Sequence, residues 1–268
     1  MSLELIHSPL LNRYKSIVHF TTTINGGVSS GNYATLNLGL YSGDLPENVM
    51  ENRFRLAATL GLPLENLFFP YQTHEDKVCV IDEAFINLPK EQQSELLNGV
   101  DALITNIPSV CIGVTTADCV PILLFDPSTN VVAAVHAGWR GTIADIAAKT
   151  LNKMIRIFGC CLDSMLVYIG PAISEEYFEV GDEVVLAFEN AGYDLSQIQR
   201  VNTETNKSHL NLKKANQIRL EQLGILSSNI DMSDICTYKS SDMLFSARRQ
   251  SVNSGRNITG ISISNNLL

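Results

Sequence analysis

The sequence predicts a layered α/β or α+β protein on three observations. Short β-rich runs alternate with amphipathic helical stretches, several runs are apolar throughout, and no repeat, low-complexity tract or charged linker interrupts the chain. Residues 78–81, 110–115, 121–125, 131–135, 165–169 and 258–264 read as strands. Continuous apolar character is that of strands covered on both faces, so something must pack on each side of them. A first helix is expected from Asp44, with Glu47 three residues on in the capping-box arrangement, to about Gly61. A second starts near Thr142 and lines up Ile143, Ile146, Ala147, Thr150, Leu151, Met154, Ile155 and Phe158 before Gly159 ends it. A third runs from Leu212 to Leu223, ended by Gly224. At 268 residues, 45% of them apolar, one domain over 1–268 is the expectation, with a core large enough to need neither disulfides nor a structural metal.

The net charge of −9 repels polyanions and anionic membranes, which argues against nucleic-acid or membrane partners. It leaves room for a small anionic substrate, because a few arginines in a cleft reverse the local field, and Arg248, Arg249 and Arg256 are bunched near the C-terminus. The six cysteines show no disulfide spacing and no C-x-x-C pair, no signal peptide is indicated, and the apolar runs are far too short to span a bilayer. A cytoplasmic protein with reduced thiols is expected. The residues leave monomer and small homo-oligomer open.

Chemistry concentrates in three segments. In 131–142, VVAAVHAGWRGT, a buried strand ends at His136, Gly138 and Gly141 bracket a sharp turn, and a helix begins. Free N–H groups at a helix start, with Arg140 adding charge, would suit an anion. A tight turn with a merely hydrogen-bonded histidine would look the same. In 115–126, TTADCVPILLFD, Pro121 can open a strand but not sit mid-strand, so Asp118 and Cys119 fall in a kink or loop. That thiol could be a metal ligand, a nucleophile or inert core, and Asp118 a proton carrier or a turn residue. In 72–78, QTHEDKV, His74 lies just before the strand expected from Val78. His74, Cys119 and His136 together form an N, S, N donor set that zinc accepts, with a fourth tetrahedral position left open. The glycine- and hydroxyl-rich stretch 26–39 suits a loop bent around something polar, and 245–256 could hold phosphate through its arginines; a surface loop and a solvated basic face are the plainer alternatives.

These residues resemble the YfiH-like laccase-domain family, also called the multicopper polyphenol oxidoreductase or purine nucleoside phosphorylase family. The likeness spans nearly the whole chain: GGVSSG…LNLG, QTH, DALIT, ADCVPILL, HAGWRGT, IGPAI, EVG, CT and FSARR…GR. It implies a layered α/β/β/α sandwich with mixed sheets and a zinc site on His74, Cys119 and His136. It further implies phosphorolysis of adenosine, inosine, guanosine and S-methyl-5′-thioadenosine, with adenosine deamination as a second activity. On that reading Cys119, Asp118 and Arg140 are the catalytic candidates, and Asn37, Gln72, Arg248 and Arg249 the substrate-binding ones. The partners would be a purine nucleoside and phosphate. Ile24 stands where the family usually has arginine, and Asn211 where it often has aspartate.

A multicopper centre would need many imidazoles, commonly as H-x-H pairs. The chain has five histidines and no such pair, so a blue-copper and trinuclear assembly cannot be built, although one copper in the N2S site remains chemically possible. The usual deaminase signature, H-x-E with P-C-x-x-C, is also absent. Three further readings compete with zinc-dependent nucleoside chemistry: a copper-dependent, laccase-like polyphenol oxidase, a cysteine hydrolase using Cys119 and His136, and a metal-dependent ligand sensor or partner protein without turnover.

Overall fold

The computed structural model describes residues 3–265. Its strands are β1 (Leu5–Ile6), β2 (Ile17–Thr22), β3 (Leu67–Phe68), β4 (Val78–Val80), β5 (Ala102–Thr105), β6 (Cys111–Thr116), β7 (Val120–Asp126), β8 (Val131–Ala137), β9 (Leu166–Ile169), β10 (Glu179–Val180), β11 (Gln199–Val201), β12 (Ser208–Leu210), β13 (Ile230–Met232) and β14 (Asn257–Ile263). The helices are α1 (Pro46–Leu60), α2 (Glu83–Ile86), α3 (Lys90–Leu96), α4 (Trp139–Ile143), α5 (Ile146–Phe158), α6 (Asp182–Asn190), α7 (Leu195–Ile198), α8 (Leu212–Gln222) and α9 (Ala247–Gln250).

Two mixed sheets stack face to face. One has the order β1-β2-β14-β6-β3, the other β13-β9-β7-β8-β5-β4, and a small β10-β12-β11 sheet stands apart from both. Ile112, Val114 and Ile261 of the first meet Leu123, Val132 and Tyr168 of the second in a core between the sheets. On the outer face of the six-stranded sheet, Ile146, Leu151 and Met154 of α5 and Ala215 and Leu220 of α8 bury against Ile122, Ala133 and Val135. On the outer face of the five-stranded sheet, Leu56 of α1 packs with Phe20, Leu36 and Ile258. The layers are therefore helix, sheet, sheet, helix, the α/β/β/α sandwich expected, and β7, β8 and β14 are buried along their whole length because both faces are covered. No helix among the described residues is long and apolar enough to cross a membrane.

All six expected strands are present, with ends shifted by one or two residues, and two helix boundaries differ for identifiable reasons. The capping box at Asp44 does not form: the N-cap of α1 is Leu45, followed by Pro46, which has no N–H to cap. Asp44 instead accepts hydrogen bonds from Ser29 Oγ (2.6 Å), Asn37 Nδ2 (3.0 Å) and the Leu45 N–H (2.8 Å). The second expected helix is two. It begins at Trp139, breaks at Asp145 in the left-handed region (φ 61°), and resumes as α5, with the Asp145 carboxylate paired to Arg219. Asn211, the departure from the family pattern, is the N-cap of α8 and accepts the Lys214 N–H at 2.9 Å. Asparagine caps as well as aspartate does, so this exchange costs the helix little.

The register of the six-stranded sheet determines where the site lies. Pairing of β7 with β8 sets Pro121 opposite His136 and Val120 opposite Ala137. Pairing of β5 with β8 sets Ala102 opposite Val135, which brings Asp101 level with His136. The parallel pair β4 and β5 then starts beside them. The entry to β7, the exit of β8 and the entries to β4 and β5 thus meet at one end of the sheet.

At the other end, Asp126 closes the β7–β8 turn by accepting from the Ser128 N–H and Oγ, Thr129 Oγ1, the Cys161 N–H and Ser164 Oγ. Burial pushes its carboxyl up, but these bonds, those from Ser164 and Ser128 foremost, win and hold the pKa down at about 2. A depressed carboxylate stabilises the fold above its unfolded pKa and loses that contribution as pH falls through the folded value. Asp126→Asn, which resembles the protonated form, should therefore cost about 2 kcal/mol at neutral pH. The gap from wild type should narrow between about pH 4 and pH 2 in urea unfolding followed at several pH values.

Candidate metal centre and cavity

The three expected donors converge. The ligand atoms of His74, Cys119 and His136 all lie within 4.8 Å of one another, and no other histidine, cysteine or carboxylate joins the cluster among the described residues. Tetrahedral zinc with bonds of about 2.0–2.3 Å would place its donors roughly 3.3–3.8 Å apart, so small side-chain adjustments suffice. Cys119 comes from the loop between β6 and β7, where Asp118 takes φ 97°; His136 is the penultimate residue of β8; His74 lies in the loop before β4, itself left-handed at φ 63°. The two imidazoles meet edge to face, with centroids 4.8 Å apart. Gly138 leaves the space this requires, since a Cβ there would come within 3.1 Å of both Cys119 Sγ and His74 Cδ2.

Asp101, unremarked except as part of DALIT, holds the arrangement. Its fully buried carboxylate accepts from His136 Nδ1 at 2.7 Å and from the N–H groups of Thr73 (3.2 Å), His74 (3.1 Å) and Glu75 (2.9 Å). Its carbonyl accepts the His136 N–H at 2.8 Å. With Nδ1 engaged, His136 presents Nε2 to the centre, the carboxylate–histidine–metal relay of many metal sites. Burial alone would raise the Asp101 carboxyl, yet the hydrogen bond and charge of His136 and the loop N–H groups hold it below the usual range. Burial likewise pushes the Cys119 thiol up, but His136 and His74 outweigh it and hold its pKa at about 6. Burial pushes His136 down, while Cys119 and Asp101 lift it to about 9. Without a metal, the environment thus favours a Cys119 thiolate beside a His136 imidazolium; a divalent metal bound there would take the place of the His136 proton, since a ligating imidazole must be neutral.

The donors open onto a cavity of about 750 Å³, within the usual range of small-molecule sites. Gln72, Thr115, Ile173, Phe178, Arg248 and Arg256 are among the residues around it. Gln72 is fixed to Thr115 by a pair of amide–backbone bonds, Nε2 to the carbonyl and Oε1 from the N–H, both 2.8 Å. Asp118 faces the cavity, but both oxygens are engaged, one by Thr237 Oγ1 (2.6 Å) and the other by the Arg248 N–H (2.6 Å). Arg248 borders the cavity while its guanidinium donates to the carbonyls of Tyr177 and Glu179.

Three expected site residues do not border this cavity. Asn37 is fully buried and bridges Gly39, Ser42, Asp44 and the Arg256 N–H. Arg249 is spent on the carbonyls of Thr237, Tyr238 and Leu244. Arg140 points to solvent with its guanidinium over the Trp139 ring, 4.2 Å from the centroid. Conversely, Asp101 at the metal centre and Arg53 on the cavity wall were not anticipated. An acidic residue directly before a buried strand was the available signal for Asp101; Arg53 sits in the N-R-F-R run of an ordinary polar helix and gave none.

A helix–sheet–sheet–helix sandwich whose N2S cluster could hold a metal ion and borders a cavity of small-molecule size is the combination the fold and site define. The family model described as multi-copper polyphenol oxidoreductase laccase matches residues 18–264, and the chain belongs to that family. It is similar to the purine nucleoside phosphorylase of Bacteroides thetaiotaomicron, 43% identical over 253 residues that cover 94% of each chain. It is also similar to adenosine deaminase RL5 of an unknown prokaryotic organism, 44% identical over 243 residues covering 90% of this chain and 92% of the relative. Among solved structures it superposes on the hypothetical protein YfiH of Bacillus licheniformis with a TM-score of 0.88 at 30% identity, over 98% of this chain and 97% of that one.

Replacing Asp101 by Asn removes the charge that orients His136 while keeping the shape of the side chain. Metal affinity should fall about 10- to 100-fold, as it does when such outer partners are lost elsewhere. Competition against a chromophoric chelator measures this; an unchanged affinity would mean that the Asp101–His136 bond does not tune the centre.

Proposed function

We propose that the chain is a zinc-dependent purine nucleoside phosphorylase that also deaminates adenosine. The observation that carries the reading is the open three-donor cluster of His74, Cys119 and His136 beside a cavity of nucleoside size. Relatives at 43% and 44% identity bearing the names of both activities support it. When bound, the metal supplies a Lewis acid and lowers the pKa of water at the cavity floor.

The chain's own residues supply the rest. Asp101 keeps His136 in one tautomer and orientation, and Gln72, locked to Thr115, offers a rigid edge for the substrate. Asp118 is the carboxylate nearest the donors in sequence that also faces the cavity, and we assign it to proton movement in deamination. Phe178 and Ile173 supply apolar wall for the purine. In phosphorolysis, hydrogen phosphate forms a bond to C1′ as the bond from C1′ to the purine breaks. The electron pair leaves with the purine, which ends with the proton that the phosphate gives up. In deamination, water replaces the amino group of adenosine, releasing ammonia.

The low Cys119 and high His136 values favour a second reading, a thiolate nucleophile with an imidazolium partner in a cysteine hydrolase. Metal content separates the two, because bound zinc would occupy the sulfur.

Adenosine incubated with zinc-loaded protein should yield adenine and ribose 1-phosphate when phosphate is present, and inosine when it is not. Chelator-stripped protein should lose both reactions, and equal turnover with and without metal would overturn the zinc reading. His136→Ala should lose metal and at least 10³-fold in turnover (on the order of 4 kcal/mol) while keeping a cooperative thermal transition. If that variant unfolds outright, the centre is structural.

A further inference from the structure

Three arginines border the cavity, and they are not equivalent. Arg248 donates both Nη groups to carbonyls, those of Tyr177 and Glu179. Arg256 does the same with Val252, Ser254 and Gly255. Arg53, on α1, donates only Nε, to the Leu38 carbonyl at 3.0 Å. Its Nη groups meet no acceptor, and no carboxylate lies within ion-pair distance of it, among the described residues. One face of its guanidinium is covered by the Phe69 ring, 5.1 Å from the centroid, which fixes the plane and strips water from that side. The turn that follows Leu38 also borders the cavity, and the N–H groups of Leu40 and Tyr41 in it likewise meet no protein acceptor among the described residues.

We propose that Arg53 is the phosphate-binding residue of this cavity, with its paired Nη groups and the Leu40–Tyr41 turn forming a subsite for a tetrahedral oxyanion. The inference rests on the phosphorylase reading and names the residue that holds its second substrate. A half-buried guanidinium with no counter-charge is costly unless an anion completes it, and a planar fork with two open Nη groups matches the edge of a phosphate. Burial without an acidic partner draws its pKa down to about 10, Tyr41 offsetting part of the effect, so the group is still fully charged at neutral pH. Arg248 and Arg256 contribute field but have committed their Nη groups to the backbone.

Isothermal titration of inorganic phosphate into zinc-loaded wild type, Arg53→Gln and Arg53→Lys tests the subsite apart from turnover. Arg53→Gln should weaken phosphate binding at least tenfold, and Arg53→Lys by an intermediate factor because it keeps charge but loses the fork. In inosine phosphorolysis the KM for phosphate should rise at least tenfold in Arg53→Gln, while the KM for inosine changes less than threefold. Unaltered phosphate affinity in a folded Arg53→Gln protein overturns the assignment. Should Arg53→Gln fail to fold, a crystal of the wild type soaked in phosphate decides: an anion on the Arg53 Nη groups supports the subsite, and an anion seated elsewhere, or none, overturns it. Phosphate binding that depends on Arg53 without any phosphorolysis by wild type would retain the subsite and overturn the phosphorylase reading.

Discussion

The centre depends on one buried carboxylate. Asp101 sits level with His136 across the β5–β8 ladder and takes three successive N–H groups from the loop carrying His74. Outside a helix start, successive N–H groups converge on one anion where the backbone alternates into the left-handed region, and His74 at φ 63° provides that turn. Left-handed backbone at a non-glycine residue costs about 1–3 kcal/mol, and charge-assisted bonds of about 1.5–3 kcal/mol each offset it readily. One side chain therefore orients His136 through its ring and the His74 loop through its backbone. The third donor, Cys119, is placed separately by the β7–β8 register and by the space left at Gly138.

Charge is distributed to suit this arrangement. The chain carries −9 overall, yet the cavity wall has Arg53, Arg248 and Arg256 facing a single carboxylate, Asp118, whose oxygens are both hydrogen-bonded. Among these arginines the division of labour follows from backbone accounting. Much of the stretch from 236 to 256 lies outside helices and strands, and its carbonyls need donors that a ladder would otherwise supply. Arg249 and Arg256 meet that need, and Arg248 ties the same segment to the carbonyls near β10. The basic cluster that stands out in the sequence is thus largely a fastening for an irregular segment, and the cation with open donors comes from a helix elsewhere.

What the sequence revealed and concealed follows the same physics. Strands buried on both faces announce themselves through apolar runs, and the donor trio through the chemistry of its residue types, so the layers and the N2S cluster were both legible. The break at Asp145 was not, because the apolar stripe continues across it and only the pairing of Asp145 with Arg219, 74 residues away, shows why the chain turns there. Asp44 and Glu47 have capping-box spacing, but Asp44 is diverted to Ser29 and Asn37 by tertiary contacts that no local pattern encodes. The glycine- and hydroxyl-rich stretch 26–39, for which a plain surface loop is the simpler expectation from composition, bends around a polar side chain of the protein itself. Asn52 of α1 accepts the Val28 N–H and donates to Ser29 Oγ and to the carbonyls of Thr35 and Asn37.

A metal that organises a fold and a metal that serves a site make different demands on the protein around them. Small zinc domains gain their folding energy from the ion, and their ligand segments have little else to hold them. Here β7 and β8 are buried throughout, cores fill both faces of the six-stranded sheet, and the His74 loop is fastened through Asp101. The donors are consequently brought within reach of one another by hydrogen bonds and strand register, at a cost borne by the fold. An ion entering such a site need not spend its binding free energy on ordering the chain, and what remains is available to an added ligand at the open position. That surplus, together with the arginines bordering the same cavity, is the physical reason to regard this centre as a place for chemistry.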